Sequence, residues 1–177
     1  SFPHDGSKSV DTAPVLTAPE NITVAATDES GTALSNTQIA AFLTSASAID
    51  VDDGNLSVSH DAPETFPMGP TLVTFTVTDS GDNTQTAQAT VTITDQTAPV
   101  ITLNGASSLT LTNEESYVEL GASALDNVDG NVSADIIVAG DSVDTSIPGT
   151  YTVTYTVTDD KGLVAIATRT VIVQDAA

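Results

Sequence analysis

The stretch VTFTVTD at residues 73–79 decides the fold, because it alternates apolar residues with threonine and then ends at an aspartate. A copy, VTYTVTD, occupies residues 153–159. Successive side chains of a β-strand point to opposite faces, so the alternation predicts a strand with one face on a core and a threonine-lined face in water. The chain therefore contains the same long strand twice.

Two further landmarks repeat in the same order as this strand. The tetrapeptide TAPV at residues 12–15 returns at residues 97–100. The acidic segment DVDDGN at residues 50–55 returns as DNVDGN at residues 126–131. Ordered self-similarity of this kind is typical of tandem structural units. Chance does not explain three landmarks that keep one order.

The phase of the repeat sets the expected domain boundaries. Each copy closes on an aspartate, Asp95 in the first and Asp175 in the second. We expect a linker or expression remnant at residues 1–10, one module at residues 11–95 and a second module at residues 96–177. Sandwich modules of about 100 residues or fewer fit this division.

Shorter runs with turn residues between them predict the remaining strands of two tandem immunoglobulin-like antiparallel β-sandwiches, an all-β fold. The expected strands are Thr86–Thr94, Val164–Gln174, Ile22–Ala25, Val100–Leu103, Ser108–Thr112, Tyr117–Leu120 and Val132–Val138. One segment has helical spacing instead, with Ile39, Phe42 and Leu43 behind a capping residue in the stretch Ser35-Asn36-Thr37. It predicts a short helix that crosses between the sheets of the first module.

The charge of the chain limits its partners. Its 177 residues include 24 acidic and 3 basic side chains, giving a formal net charge of -21. Such a surface disfavours binding to nucleic acid or to an anionic membrane. The chain also contains no cysteine, so disulfides do not supplement its thin cores. We expect no membrane insertion, a monomer, and an export signal elsewhere in a longer parent protein.

The motifs of the second half resemble those of bacterial immunoglobulin-like surface modules related to the hyalin repeat. They include PVITLNG at residues 99–105, ELGA at residues 119–122 and PGTY at residues 148–151. The first half resembles a hyalin-repeat module through PENITV at residues 19–24 and FPMG at residues 66–69. The resemblance implies a non-catalytic extracellular spacer or adhesion module in a secreted or cell-surface protein.

Chain topology brings several aspartates to one end of the second module. The first strand of that module leaves the junction at Asp95, the loop with Asp126 and Asp129 returns to the same end, and the long strand brings Asp159 there. Calcium takes about 6–8 oxygen ligands, and carboxylates are among those it prefers. We therefore predict a calcium site at Asp95, Asp126, Asp129 and Asp159 that stiffens the junction. Glu119 is a further candidate ligand.

The equivalent acidic set in the first module is Asp11, Asp50, Asp53 and Asp79. No acid matches Glu119 there, because Leu43 occupies the corresponding place. An alternative interpretation remains open for each aspartate, since Asp side chains also favour turns by accepting from nearby backbone amides.

Catalytic constellations are not expected. His4 lies near the start of the chain and His60 stands apart from it, so neither a Ser/His/Asp set nor a zinc site is predicted. Two functions from different classes stay open. One is a structural spacer whose partners are neighbouring modules of the same polypeptide. The other is an accessory module that binds a cell-surface glycan or protein, for which Tyr117 and Phe66 are the candidate contact residues.

Overall fold

A computed structural model describes residues 11–175, which form two compact units. One unit comprises the described residues up to Val24 together with Ser30–Thr94. The other comprises Ala25–Glu29 and the described residues from Asp95 onward. Asp95 therefore belongs to the second unit. The linker interpretation of residues 1–10 lies outside the described residues.

The first unit is built from nine strands and one helix. In chain order these are β1 (Val15–Thr17), β2 (Ile22–Ala25), β3 (Thr32–Ala33), α1 (Thr37–Thr44), β4 (Ser47–Asp50), β5 (Gly54–Leu56), β6 (Ser59–His60), β7 (Thr65–Phe66), β8 (Gly69–Thr78) and β9 (Thr84–Thr94). The strands form sheets of order β1-β4-β5 and β2-β9-β8-β6, with β3 paired to β7.

The alternation of β8 sets the core of this unit. Val73, Phe75 and Val77 are buried, while the intervening threonines Thr74 and Thr76 are half-buried. The helix α1 also contributes to this core, because it buries Ile39, Phe42 and Leu43. The rings of Phe42 and Phe75 meet edge to face with centroids 5.7 Å apart, a favoured arrangement for aromatic pairs.

The predicted helix is confirmed, and of Ser35, Asn36 and Thr37 it is Asn36 that caps its start. The side chain of Asn36 accepts hydrogen bonds from the amides of Gln38 and Ile39, at 2.9 and 3.4 Å. Such an N-cap satisfies amides that the first turn leaves without a partner. Among the described residues, none of the helices is long and apolar enough to span a membrane.

The second unit is built from seven strands and a short 3-10 helix. They are β10 (Val100–Leu103), β11 (Ser108–Thr112), β12 (Ala122–Asp126), β13 (Gly130–Asn131), the 3-10 helix Ser133–Asp135, β14 (Ile137–Gly140), β15 (Gly149–Thr158) and β16 (Val164–Gln174). The sheets have the orders β10-β12-β13 and β11-β16-β15-β14. The all-β immunoglobulin-like prediction is confirmed, but β11 pairs with β16 in parallel, so the sheets are not wholly antiparallel.

Two strand predictions are wrong in the second unit. Residues Tyr117–Leu120 form no strand, and β12, the central strand of its sheet, begins only after Gly121, whose φ of 73° breaks the run. Val132–Val138 is interrupted by the 3-10 helix, and β14 starts at Ile137. In both places side-chain hydrogen bonds replace the sheet ladder: Glu119 accepts from the Gly121 amide, and Asn131 accepts from the Ser133 amide.

Candidate metal centre

The loop after β12 is shaped by Asp126, which is only 5% exposed. Its Oδ1 accepts the amides of Val128 and Asp129, at 2.7 and 3.0 Å, and so closes the turn. Its Oδ2 is buried and has no hydrogen-bond partner among residues 11–175. One oxygen of this carboxylate therefore builds the loop, and the other is available to a ligand.

Asp95 presents its carboxylate in the same way. Its Oδ1 accepts the Thr97 amide at 3.0 Å, while its buried Oδ2 has no partner in the described part of the chain. Carboxylate oxygens of Asp95, Asp126 and Asp129 all lie within 4.8 Å of one another. Calcium–oxygen distances of about 2.3–2.6 Å place opposite ligands about 5 Å apart. One cation can therefore contact all three groups.

Asp159 lies in the turn beside this group without joining it. The amide of Asp160 donates to Asp129 Oδ2 at 2.9 Å, which holds the turn against the loop. Asp159 Oδ1 accepts the amides of Lys161 and Leu163, both at 2.8 Å. The carboxylate of Asp159 is not one of the three that approach within 4.8 Å, although its Oδ2 is also buried and without a partner among residues 11–175.

Asn127 adds an oxygen that the sequence prediction missed. Its Nδ2 donates to the carbonyls of Ala26 and Thr27, at 3.1 and 3.3 Å. Its Oδ1 is buried and has no partner within residues 11–175. The residue lies between Asp126 and Asp129 in the sequence of the loop, so the loop carries an unpartnered amide oxygen in addition to its carboxylates. The signal was present in the DNVDGN motif, since Asn carbonyls are ordinary calcium ligands.

The first unit gathers a different set from the one predicted. Its carboxylates within 4.8 Å of one another are those of Asp11, Asp50 and Asp52. Asp53 is held elsewhere, because Ser80 donates to it from both its amide and its hydroxyl, each at 2.8 Å. Asp52 was missed because its counterpart in the second copy is Val128.

Asp79 is also withdrawn from the metal set by local hydrogen bonds. Its Oδ1 accepts the amides of Gly81 and Asn83, at 2.9 and 2.8 Å, and its Oδ2 accepts Asn83 Nδ2 at 2.9 Å. Burial alone would raise the pKa of Asp79, but these hydrogen bonds outweigh it and lower the pKa below its usual value. The capping role, left open by the sequence, is the role that Asp79 takes.

Glu119 serves a buried arginine and is not brought to the aspartate group. Arg169 is fully buried and donates to Glu119 Oε1 at 2.6 Å, and the hydroxyls of Tyr117 and Tyr155 also donate to this carboxylate. Burial would raise the pKa of Glu119, but these hydrogen bonds, that of the Gly121 amide and the charge of Arg169 lower it overall.

Of the remaining guanidinium donors, Nη1 also donates to the Tyr155 hydroxyl at 2.7 Å, and those of Nε and Nη2 are taken up by backbone oxygens. Arg169 donates to the carbonyls of Ala106, Asn104 and Gly121, at 3.1, 2.6 and 3.3 Å. The position was readable from sequence, because Arg169 falls in the inward register of β16 together with Val171 and Val173. In the first unit the same register position, opposite the first inward valine of the long strand, belongs to Ala89.

The candidate sugar contacts differ from each other in the structure. Phe66 has 0% exposure and lies in the core, so it offers no surface for stacking. Tyr117 is half-buried and lines a depression of about 320 Å³ with Glu119, Asp141 and Ser142. Only Tyr117 of the predicted pair is placed where a ligand can reach it.

The donor set of the aspartate groups limits the ion. All candidate ligand atoms are oxygens, without sulfur or imidazole nitrogen, and this favours a hard cation over zinc or copper. Asp50, Asp95 and Asp126 lie in turns whose backbone amides donate to their own Oδ1 atoms, so these carboxylates are positioned before any ion arrives. The residues present therefore fit calcium.

Comparison with known proteins supports the fold class. Residues 101–173 match the family model described as bacterial surface protein, Ig-like domain. Among curated proteins, none matches the chain. A solved chain with the M60 catalytic domain and both CBM51 domains of Clostridium perfringens ZmpB is similar over 92% of this chain and 31% of its own, at 13% identity and a TM-score of 0.51. That likeness concerns the fold alone.

Two other solved chains are similar to part of the sequence. A lipoprotein of Bacteroides thetaiotaomicron is 28% identical over 45% of this chain, with a TM-score of 0.40. A chain with CBM51-2, in complex with GlcNAc, and INT domains of Clostridium perfringens ZmpB is 31% identical over 44%, with a TM-score of 0.36. The matches span 39% and 17% of those two chains.

Proposed function

We propose that this chain is a non-catalytic pair of β-sandwich modules that acts as a spacer or adhesion segment of a larger secreted or cell-surface protein and is stiffened by calcium. The observation that carries the proposal is the group of Asp95, Asp126 and Asp129, in which two buried carboxylate oxygens have no partner among the described residues. A buried charge without a partner is costly, and a divalent cation removes that cost.

The position of Asp95 gives the cation a mechanical role. Asp95 directly follows β9 and is separated from β10 by only four residues, Gln96 to Pro99. A cation bound jointly by Asp95 and the Asp126–Asp129 loop would fix this short connection to the second unit. Pro99 restricts the backbone at the same place. Calcium would thus substitute for the disulfides that small extracellular domains commonly use.

An extracellular location is supported by the match of residues 101–173 to a bacterial surface domain model. The acidic composition is consistent with it, because a net charge of -21 keeps a protein soluble and apart from its neighbours. In this role the partners of the pair are neighbouring modules of the same polypeptide. Hyalin-repeat character of the first unit is part of the proposal and accounts for the motifs at residues 19–24 and 66–69.

The test is a comparison of thermal stability with calcium and with chelator. A site at one hundred times its Kd stabilises the folded state by about 2.7 kcal/mol, which raises the melting temperature of a unit of this size by roughly 10–20 °C. Asp126→Asn should abolish most of the increase. Asp135→Asn, which removes an exposed acid of the same unit, should leave it unchanged.

Small-angle scattering of the whole chain tests the mechanical part of the proposal. Calcium should narrow the distribution of shapes, and Asp126→Asn should not respond. A chain whose melting temperature and scattering are indifferent to calcium would refute both parts. If scattering alone is indifferent, calcium stabilises the second unit without stiffening the pair.

A binding function is the second candidate, favoured by the accessible depression beside Tyr117. Aromatic rings and acidic side chains at a surface depression suit sugar hydroxyls and ring faces. A glycan array on wild type and on Tyr117→Ala distinguishes the two candidates. Binding that Tyr117→Ala removes would favour an accessory module, and absence of binding alongside a calcium response would favour the spacer.

A further inference from the structure

The carboxylate group of the first unit is not a copy of the one in the second. The repeat aligns Asp95 with Val10 and Asp129 with Asp53, yet the first unit uses Asp11 and Asp52. Each of these residues is shifted by one position relative to the repeat. Only Asp50, the counterpart of Asp126, keeps its place.

The hydroxyl of Ser80 explains why the loop of the first unit contributes Asp52 instead of Asp53. Ser80 binds Asp53 with its amide and its Oγ, and so occupies both carboxylate oxygens. The counterpart of Ser80 is Asp160, which donates only its amide to Asp129 Oδ2. Asp129 therefore retains an oxygen for the group in the second unit, whereas Asp53 does not. The neighbouring residue, Asp52, takes its place.

Asp50 supplies the independent sign of a ligand. It is only 4% exposed, and its Oδ1 accepts the amides of Asp52 and Asp53 at 2.7 and 3.0 Å. Its Oδ2 is buried and has no hydrogen-bond partner among residues 11–175. The two oxygens of Asp126 differ in the same way: one accepts the amides that shape the loop, and the other remains for an ion.

We propose that Asp11, Asp50 and Asp52 form a second calcium site, in the first unit, with lower affinity than the site of the second unit. We expect the lower affinity because protein donors already bind two of these carboxylates and because two of the three residues are exposed to water. Asp52 Oδ2 already accepts the amide and hydroxyl of Thr12, both at 3.2 Å, and Asp11 Oδ2 accepts Asn83 Nδ2 at 3.0 Å. Asp11 and Asp52 are exposed, so water competes for their oxygens.

This inference goes beyond the proposed function, because its ligands lie wholly in the first unit. Binding there can succeed or fail independently of Asp95, Asp126 and Asp129. The whole chain would take up calcium in two steps, first in the second unit and then in the first. Such a pair of sites makes the response to calcium graded, with the second step confined to high concentrations.

The experiment is a calcium titration of the whole chain by calorimetry and by NMR of backbone amides. Wild type should show two classes of site, with the tighter one moving the amides of Val128 and Asp129 and the weaker one moving those of Asp52 and Asp53. Asp52→Asn should lower the affinity of the weak class by about tenfold or more and leave the tight class intact. Asp126→Asn should do the reverse.

Asp53→Asn is the matched control, because it changes the same charge in the same loop at a residue that Ser80 holds. It should leave the weak class within about twofold of wild type. Asp11→Asn, at an exposed position, repeats the test for a case in which Asp52→Asn alters the loop itself. The inference is overturned if no class of site in wild type moves the amides of Asp52 and Asp53, or if Asp53→Asn weakens binding more than Asp52→Asn does. Loss of the tight class alone would contradict the proposed function and leave this site standing.

Discussion

Replacing Glu119 by glutamine tests the buried ion pair of the second unit. Glu119 Oε1 accepts a hydrogen bond from Arg169 Nη1 at 2.6 Å, and the side chain of Arg169 is 0% exposed. Glutamine keeps an acceptor for Arg169 and for the Gly121 amide, but it removes the negative charge and the second carboxylate oxygen, which accepts the Tyr117 hydroxyl. The change therefore leaves a buried cation without its counter-ion.

The magnitude follows from the exposure of the two partners. Removal of one member of a buried pair costs about 3–5 kcal/mol. The side chain of Glu119 is 31% exposed, so water reaches this pair and the lower end, about 3 kcal/mol, applies. For a domain of this size such a loss lowers the melting temperature by roughly 12–24 °C. The first unit should be unaffected.

Calorimetry and amide exchange provide the assay, since the first unit serves as an internal reference. Protection should fall across β15 and β16 and persist across β8 and β9. Asp135→Asn, an exposed charge-matched control, should leave both units unchanged. Exchange and melting of Glu119→Gln that equal wild type would refute the reasoning, because the arginine would then need no counter-ion.

A compensating triple variant separates charge from packing. Glu119→Leu, Arg169→Met and Tyr155→Phe together replace the whole polar group by apolar side chains. Apolar replacement of a complete buried pair is often neutral or stabilising, and the first unit has Phe75 and Ala89 at the matching register positions. The triple variant should therefore melt above Glu119→Gln. If it melts below, the polar group determines more than the balance of charge.

Three further predictions concern stability. Acidification below about pH 4.5, the ordinary pKa of a glutamate, should destabilise the second unit. The pKa of Glu119 is lowered in the fold, so the stability that its charge contributes is lost as the pH falls through that lowered pKa. Between pH 6 and pH 3 the melting temperature of Glu119→Gln should therefore fall by less than that of wild type. Gly31→Ala should lower the free energy of unfolding of the first unit by more than about 1 kcal/mol in urea. Gly31 has a φ of 113°, and a Cβ there would lie 1.9 Å from the Phe66 carbonyl oxygen. The control Gly54→Ala should cost less, because Gly54 has a φ of 77° but a Cβ there would meet no other atom. Asn36→Ala should cost about 1 kcal/mol in the same assay by removing the N-cap of α1, and a variant as stable as wild type would contradict that role.

The parts of the fold that were readable from sequence are those that depend on local periodicity. The alternation in β8 and β15, and the spacing behind Asn36, are properties of adjacent residues, and these elements were predicted correctly. The parallel pairing of β11 with β16 and the turn at Gly121 depend on residues far apart in the chain or on a positive φ. Strand periodicity carries no information on either.

In the candidate site, too, some features could be predicted from the sequence and others could not. Topology predicted that Asp95, Asp126, Asp129 and Asp159 converge, and the first three do approach one another within 4.8 Å, whereas Asp159 is not among them. The exchange of Asp53 for Asp52 could not be predicted, because it depends on whether the second residue after the long strand carries a hydroxyl, as Ser80 does, or a carboxylate, as Asp160 does. Identical backbone turns can thus present different acids when a neighbouring donor occupies one of them.

The two units cover the aromatic residue of their long strand with different side chains. In the first, α1 supplies Phe42 to cover Phe75. The second unit has no α-helix among its described residues, and there Arg169 lies against the ring of Tyr155, 5.4 Å from its centroid. A basic residue in the core then requires Glu119 as its counter-ion, which removes that acid from metal binding. The core of the second unit therefore determines which of its carboxylates remain available to a cation, and the calcium site that we propose would take its ligands from the loops around Asp95 and Asp126.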